Sequence, residues 1–161
     1  MTESLVLIDS CIYITLSKRG FDPAMEIMAR LELEDIVTCG MVRFEVIRGI
    51  ALPKARTYME SIFDVMQNVI TDNQLWEEAC ELGWQVTRKG HNMPAQDIII
   101  AACALRVDAV VLTHDGHFDH IPGLRVLHSL DDLRELWRDT LRRVPAQSRP
   151  GSIASRLSNG T

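Results

Sequence analysis

The chain predicts an α/β domain built on a short, mainly parallel central sheet with helices on both faces. Three observations carry this expectation. Short apolar, β-branched runs alternate with segments of helical periodicity. Two of those runs, Leu5-Val6-Leu7-Ile8 and Ala109-Val110-Val111-Leu112, contain no polar residue, as strands covered on both faces do. Both runs then break into polar residues, and strand ends on one edge of such a sheet gather residues that are distant in sequence.

The first strand ends at Asp9, and Ser10 is placed to cap a short helix through Leu16. Lys18 to Pro23 is a break, with Pro23 suited to the first turn of a helix carrying Met25, Ile27, Met28 and Leu31. Ile36-Val37-Thr38 reads as a second strand. A helix over Met41–Arg48 closes at Gly49, and another runs from about Lys54 to Met66. Val69-Ile70-Thr71 is the expected third strand. Asp72 or Asn73 caps a helix with Leu75, Trp76, Ala79, Leu82, Gly83 and Val86 on its inner face. Gly90 to Pro94 is a loop. Ala95 to Leu105 is a strongly apolar helix with Asp97 near its start. The fourth strand, Ala109–Leu112, and a fifth over Leu124–Leu127 flank a histidine-rich loop. Ser129 caps a last helix whose stripe is Leu130, Leu133, Leu136, Trp137 and Leu141. From Pro145 the composition turns to Pro, Ser, Gly, Arg and Asn, which predicts one folded domain over residues 1–144 and a flexible tail over 145–161.

A chain of 161 residues suits a single domain with a real core, and 47% apolar with 24% charged residues is ordinary for a globular protein. No apolar run is long enough to cross a bilayer, and Met-Thr-Glu-Ser lacks the basic start of a signal peptide, so a cytoplasmic location is expected. Cys11, Cys39, Cys80 and Cys103 form no zinc spacing and read as small core residues in a reducing compartment. All 22 acidic side chains precede Arg142, while four of the 17 basic ones lie from there onward. An acidic body argues against binding nucleic acid through a broad basic surface and suits clustered carboxylates neutralised by divalent cations.

Within seven residues, His114 to His120, lie three of the five histidines and two carboxylates, Asp115 and Asp119. Asp9 at a strand mouth is either a helix cap or a site residue. Glu45, between Phe44 and Val46, either faces water beside Arg43 and Arg48 or faces a site. Asp97 opens an apolar helix where the helix dipole favours an acid, yet no Lys or Arg is near it in sequence to serve as partner. Asp115 ranks above Asp119 and His117, since it stands next to the strand end, and His114 and His120 read as exposed loop residues. Four carboxylates at strand mouths favour Mg²⁺ or Mn²⁺, ions that serve in phosphodiester cleavage. The histidines lack zinc spacing, and no Gly-rich phosphate loop is present.

Four blocks together resemble the PIN-domain ribonucleases, and among them the VapC-type toxins of toxin–antitoxin pairs. They are Leu7-Ile8-Asp9-Ser10-Cys11-Ile12-Tyr13-Ile14, Phe44-Glu45-Val46-Ile47-Arg48-Gly49, Pro94-Ala95-Gln96-Asp97-Ile98-Ile99-Ile100-Ala101-Ala102 and Leu112-Thr113-His114-Asp115-Gly116-His117-Phe118, the last followed by Ile121-Pro122-Gly123-Leu124. The resemblance spans residue 5 to about 141. It implies a three-layer α/β/α sandwich and a metal-dependent endoribonuclease. Asp9 and Asp97 would then be direct ligands of Mg²⁺, with Mn²⁺ as substitute. Glu45 and Asp115 would act through water, at a second metal or on the nucleophile, with Ser10 and Thr113 in support. His117 stands where the family often has another Asp, and Thr38 and Cys39 where it often has small hydroxyl residues. The resemblance also implies an RNA substrate, a small cognate antitoxin and a homodimer; no membrane association is expected from the apolar runs.

Two other readings compete. One is a PIN fold kept as a non-catalytic binding or regulatory module, against which all four acids are present. The other is a phosphoryl-accepting receiver domain, which needs a Lys beyond the last strands; no Lys follows Lys89.

Overall fold

The computed structural model describes residues 4–133. Five strands form one sheet: β1 (Val6–Ile8), β2 (Ile36–Cys39), β3 (Gln67–Val69), β4 (Val110–Leu112) and β5 (Arg125–Leu127). Their order is β3-β2-β1-β4-β5, and every pairing is parallel. Six α-helices accompany them: α1 (Ser10–Lys18), α2 (Pro23–Met28), α3 (Gly40–Arg48), α4 (Pro53–Val65), α5 (Asn73–Arg88) and α6 (Ala95–Arg106). A 3₁₀ segment, Gly116–His120, follows β4. This is the expected α/β sandwich.

The chain builds outward from β1 through β2 to β3, then crosses to the other side of β1 to lay down β4. The reversal leaves a crevice at the carboxyl ends of β1 and β4, where open α/β sheets bind ligands. Register carries the pairing past the strands: the Asp9 N–H donates to the Leu112 carbonyl (3.0 Å), and the Thr113 N–H to that of Leu127 (2.9 Å). The residues that leave the sheet at its mouth are therefore fixed by the ladder.

The core follows from sequence pattern. Val6, Leu7, Ile8, Val110, Val111 and Leu112 are all buried, as strands sandwiched between helices must be. α6 is buried from Ile98 to Ala104, which explains why its sequence is apolar almost all round. α5 shows the opposite pattern, burying only Leu75, Ala79, Leu82 and Val86.

Several local expectations are corrected. Asp9, not Ser10, is the cap of α1: its carboxylate accepts from the Ser10 N–H, and Ser10 is the first helical residue. The third strand is Gln67–Val69 rather than Val69–Thr71; it is an edge strand with Gln67, Asn68 and the following Ile70 exposed, so hydrophobicity misplaced it by two residues. Trp76 lies off the buried stripe of α5 and is 47% exposed. Cys39 and Cys103 are core residues, but Cys80 is exposed and Cys11 only partly buried. Gly49 ends α3 at φ −83°, so it is not the left-handed terminator its identity suggests. The expected last helix beyond Leu133 and the tail lie outside the described residues.

Leu7 sits fully buried in the central strand. Leu7→Ala should lower unfolding free energy by about 2–5 kcal/mol, the range for a buried leucine that leaves a cavity, as read from urea unfolding with an unchanged slope.

Candidate metal centre

Asp9 emerges from β1 in extended conformation and is almost fully buried. Its carboxylate is held by the chain itself. One oxygen accepts from the Ser10 N–H at 2.8 Å, and the other from the Thr113 hydroxyl at 2.8 Å. Thr113 is equally buried at the mouth of β4. Its hydroxyl oxygen also accepts the Asp115 N–H at 3.0 Å, so one side chain ties Asp9 to the loop that carries Asp115. Asp115 in turn caps the 3₁₀ segment by accepting the His117 N–H at 2.9 Å.

Glu45 reaches this group from α3. Its carboxylate accepts the Ser10 hydroxyl at 2.7 Å. Neither arginine near it in sequence pairs with it: Arg43 binds Asp64 at 2.7 Å, and Arg48 lies over the Phe44 ring. Asp97 enters from the first turn of α6. The imidazole Nδ1 of His117 lies 3.5 Å from Asp97 and 3.2 Å from Asp115. Neither approach has the alignment of a hydrogen bond, so Asp97 Oδ2 and His117 Nδ1 are buried polar atoms without a hydrogen-bond partner among the described residues.

The electrostatics are those of crowded acids. Burial, then the charges of Asp115 and Asp9, push the Asp97 carboxyl up from 3.8 to about 6, with His117 opposing the rise. No lysine or arginine forms an ion pair with Asp97, Asp115 or Asp9 among the described residues. Asp97, Asp115 and His117 each offer one donor atom, and these atoms lie within 4.8 Å of one another. Unpartnered buried donors, carboxylate crowding and this spacing fit a divalent cation, whose charge would satisfy all three at once. Cys11 borders the group, with its sulfur 3.4 Å from the Thr113 hydroxyl. Burial and the neighbouring Asp9 push its thiol up to about 12, so in the metal-free protein it stays protonated at neutral pH.

The structure thus brings together Asp9, Ser10, Glu45, Asp97, Thr113, Asp115 and His117 at one edge of the sheet. Asp119 turns away and pairs with His128, 2.9 Å from its Nε2. His128 was invisible to motif reading, although it stands directly after β5, at a strand mouth like Asp9 and Thr113. His114 and His120 are exposed, as expected, and His120 stacks on His91 with centroids 3.8 Å apart.

The PIN domain family profile matches residues 6–124. The chain belongs to the PIN domain family. Several solved structures share this PIN fold. The DNA-bound VapBC of Salmonella typhimurium has a TM-score of 0.65 at 20% identity, covering 78% of this chain and 98% of that one. VapBC-1 of nontypeable Haemophilus influenzae has a TM-score of 0.62 at 21% identity, covering 76% and 96%. VapBC-5 of Mycobacterium tuberculosis, from the VapBC family of toxin–antitoxin systems, has a TM-score of 0.54 at 15% identity, covering 79% and 100%. No curated protein matches the chain in sequence.

The raised Asp97 carboxyl has a definite sign in stability. The folded state holds this proton more tightly than the unfolded state, so the contribution is fully present below about 3.8 and is lost as pH rises through about 6. Above that, the metal-free domain carries the cost of an ionised, crowded acid. Asp97→Asn removes the charge at nearly constant shape. Its thermal midpoint should exceed that of the parent at pH 8 without divalent cations by on the order of 1 kcal/mol after allowance for solvent screening, about 3 °C. Calorimetry at pH 8 and pH 5 checks this: the advantage should shrink to roughly half at pH 5 and vanish only below about 3.8.

Proposed function

We propose that this PIN domain is a divalent-metal-dependent endoribonuclease and the toxin of a toxin–antitoxin pair, acting in the cytoplasm. The observation that carries the reading is the convergence of Asp9, Glu45, Asp97 and Asp115 at the crevice between β1 and β4. Two buried polar atoms there, on Asp97 and His117, have no hydrogen-bond partner among the described residues. Membership of the PIN family and the likeness to VapBC structures support the nuclease and toxin parts of the proposal.

Asp97 and Asp115 would hold the ion with Asp9, while Glu45 contributes from the Ser10 side. Oxygen-rich ligation suits Mg²⁺, and the imidazole nitrogen of His117 extends the choice to Mn²⁺. When bound, such an ion offsets the carboxylate charge and supplies an acidified water and stabilisation of the leaving oxygen. The rest is done by the chain. Thr113 and the Ser10 N–H fix both oxygens of Asp9, so its orientation does not change on loading. Ser10 holds one Glu45 oxygen and leaves the other to act on water. The net negative charge near the site repels a phosphodiester until cations enter, which makes substrate binding depend on metal.

An antitoxin and a second copy of the chain are the proposed protein partners. Large apolar side chains that remain exposed on α2, α3 and α5, among them Met25, Phe44 and Trp84, are consistent with protein–protein contact. No helix among the described residues is long and apolar enough to cross a membrane.

The deciding experiment is incubation of purified, antitoxin-free protein with total RNA in Mg²⁺, in Mn²⁺ and in EDTA, beside Asp97→Asn. Discrete fragments should form only with metal, and the folded variant should lose at least 100-fold in cleavage rate. Metal binding without any cleavage would point to another nucleic acid or to the non-catalytic module. Absence of metal binding would overturn the catalytic reading.

A further inference from the structure

The loop between β4 and β5 carries Asp115 and His117, and the residues on either side of that pair, Thr113 and Asp119, converge on one residue outside the acidic group. His128 Nδ1 lies 3.0 Å from the Thr113 carbonyl oxygen. Its Nε2 lies 2.9 and 3.1 Å from the two oxygens of Asp119. A backbone carbonyl only accepts, and so does an ionised carboxylate. A neutral imidazole has one N–H and would face one of these acceptors with a lone pair. The doubly protonated ring satisfies both, and the bond to Asp119 is then charge-assisted.

We propose that His128, as an imidazolium, is a positioning residue for the acidic site: by joining Thr113 to Asp119 it holds the Asp115–His117 loop in the geometry that receives a metal. The proposal rests on the metal reading of that site. The structure shows why the loop needs such a latch. Asp115 and His117 are each only partly buried. Crowded carboxylates repel one another and tend to push an unrestrained loop outward. At one end, Thr113 is secured by its N–H on Leu127 and its hydroxyl on Asp9, and His128 takes its remaining acceptor. At the other end Asp119 is exposed, and both of its carboxylate oxygens meet the His128 Nε2. The Phe118 ring, fully buried beside it, is the apolar part of the same anchor.

The environment of the ring agrees with the charge. Its bond to Asp119 raises its proton affinity most; burial opposes this as the next largest effect, and the Thr113 carbonyl with the charges of Asp119 and Asp132 keeps the net direction upward. Among the described residues, these two aspartates are the charged groups that bear on it. The latch therefore persists to higher pH than an unpartnered imidazole would allow and weakens as the imidazolium loses its proton.

The test compares the parent with His128→Ala and Asp119→Asn, using Mn²⁺ alone as probe. Calorimetric titration should show Mn²⁺ affinity falling about tenfold in each variant, the scale typical when a residue that orients metal ligands is removed. Amide exchange in the metal-free protein should speed up at residues 114–118 and stay unchanged in α6, with the thermal midpoint within a few degrees of the parent. Histidine NMR should find His128 titrating above an ordinary imidazole in the parent and moving back down in Asp119→Asn. The affinity gap between parent and variants should narrow as pH rises. Equal Mn²⁺ affinity with unchanged loop exchange would overturn the proposal, as would a His128 ring found neutral at pH 7. Should His128→Ala not fold, Asp119→Asn, at an exposed site, decides alone. If the parent binds no Mn²⁺, the metal reading fails, and the latch is then judged on loop exchange and the charge of His128.

Discussion

The hydrogen bond from the Thr113 hydroxyl to Asp9 is the contact on which the site depends. It spans the mouth of the sheet between its two central strands, and both partners are buried. A buried carboxylate is costly unless the chain supplies donors, and here a neutral hydroxyl and a backbone N–H do so without neutralising the charge. Asp9 is thereby kept as an oriented anion. A lysine or arginine in the same place would have given a stable but chemically spent ion pair. The same Thr113 oxygen receives the Asp115 amide, so a single side chain sets the distance between two acids.

Around that contact the fold gathers charge that it does not balance. Asp97 is delivered by the first turn of a helix with an otherwise apolar body, where the dipole favours it and the core forbids it to swing away. Glu45 is delivered by α3 and held off from the arginines beside it by Ser10. Polar order is thus built from hydroxyls and amides, and the electrostatic debt is left open for a ligand. Stability and binding capacity trade against each other in this arrangement.

How much of this was legible in the sequence follows from the physics of each element. The central strands were plain because burial on both faces leaves no polar residue in them. β3 was misplaced because an edge strand is held by backbone pairing, with Gln67 and Asn68 free to face water. Asp9, Asp97 and Asp115 stood out by position at strand and helix ends, Glu45 inside α3 was open between site and solvent, and the geometry unites all four. The tasks of Ser10 and Thr113 were harder to see, since a hydroxyl serves as cap, donor or acceptor depending on neighbours distant in sequence, here 35 and 104 residues away. His128 was missed for a related reason. It belongs to no motif, and only the pairing of β4 with β5 shows that it stands beside Thr113.

The order of the strands also has a temporal meaning. β1 is made first, yet one of its two neighbours is β4, and the Thr113 hydroxyl lies 104 residues after Asp9. Contacts so distant in sequence form late, and a nascent chain emerges N-terminus first. While the ribosome is still making the first half of this protein, Asp9 has no Thr113, no Asp97 and no Asp115 beside it. The acidic centre therefore cannot exist on a partly synthesised chain. A ribosome that stalls midway releases a fragment without the site, and the complete centre arises only after most of the chain has been made.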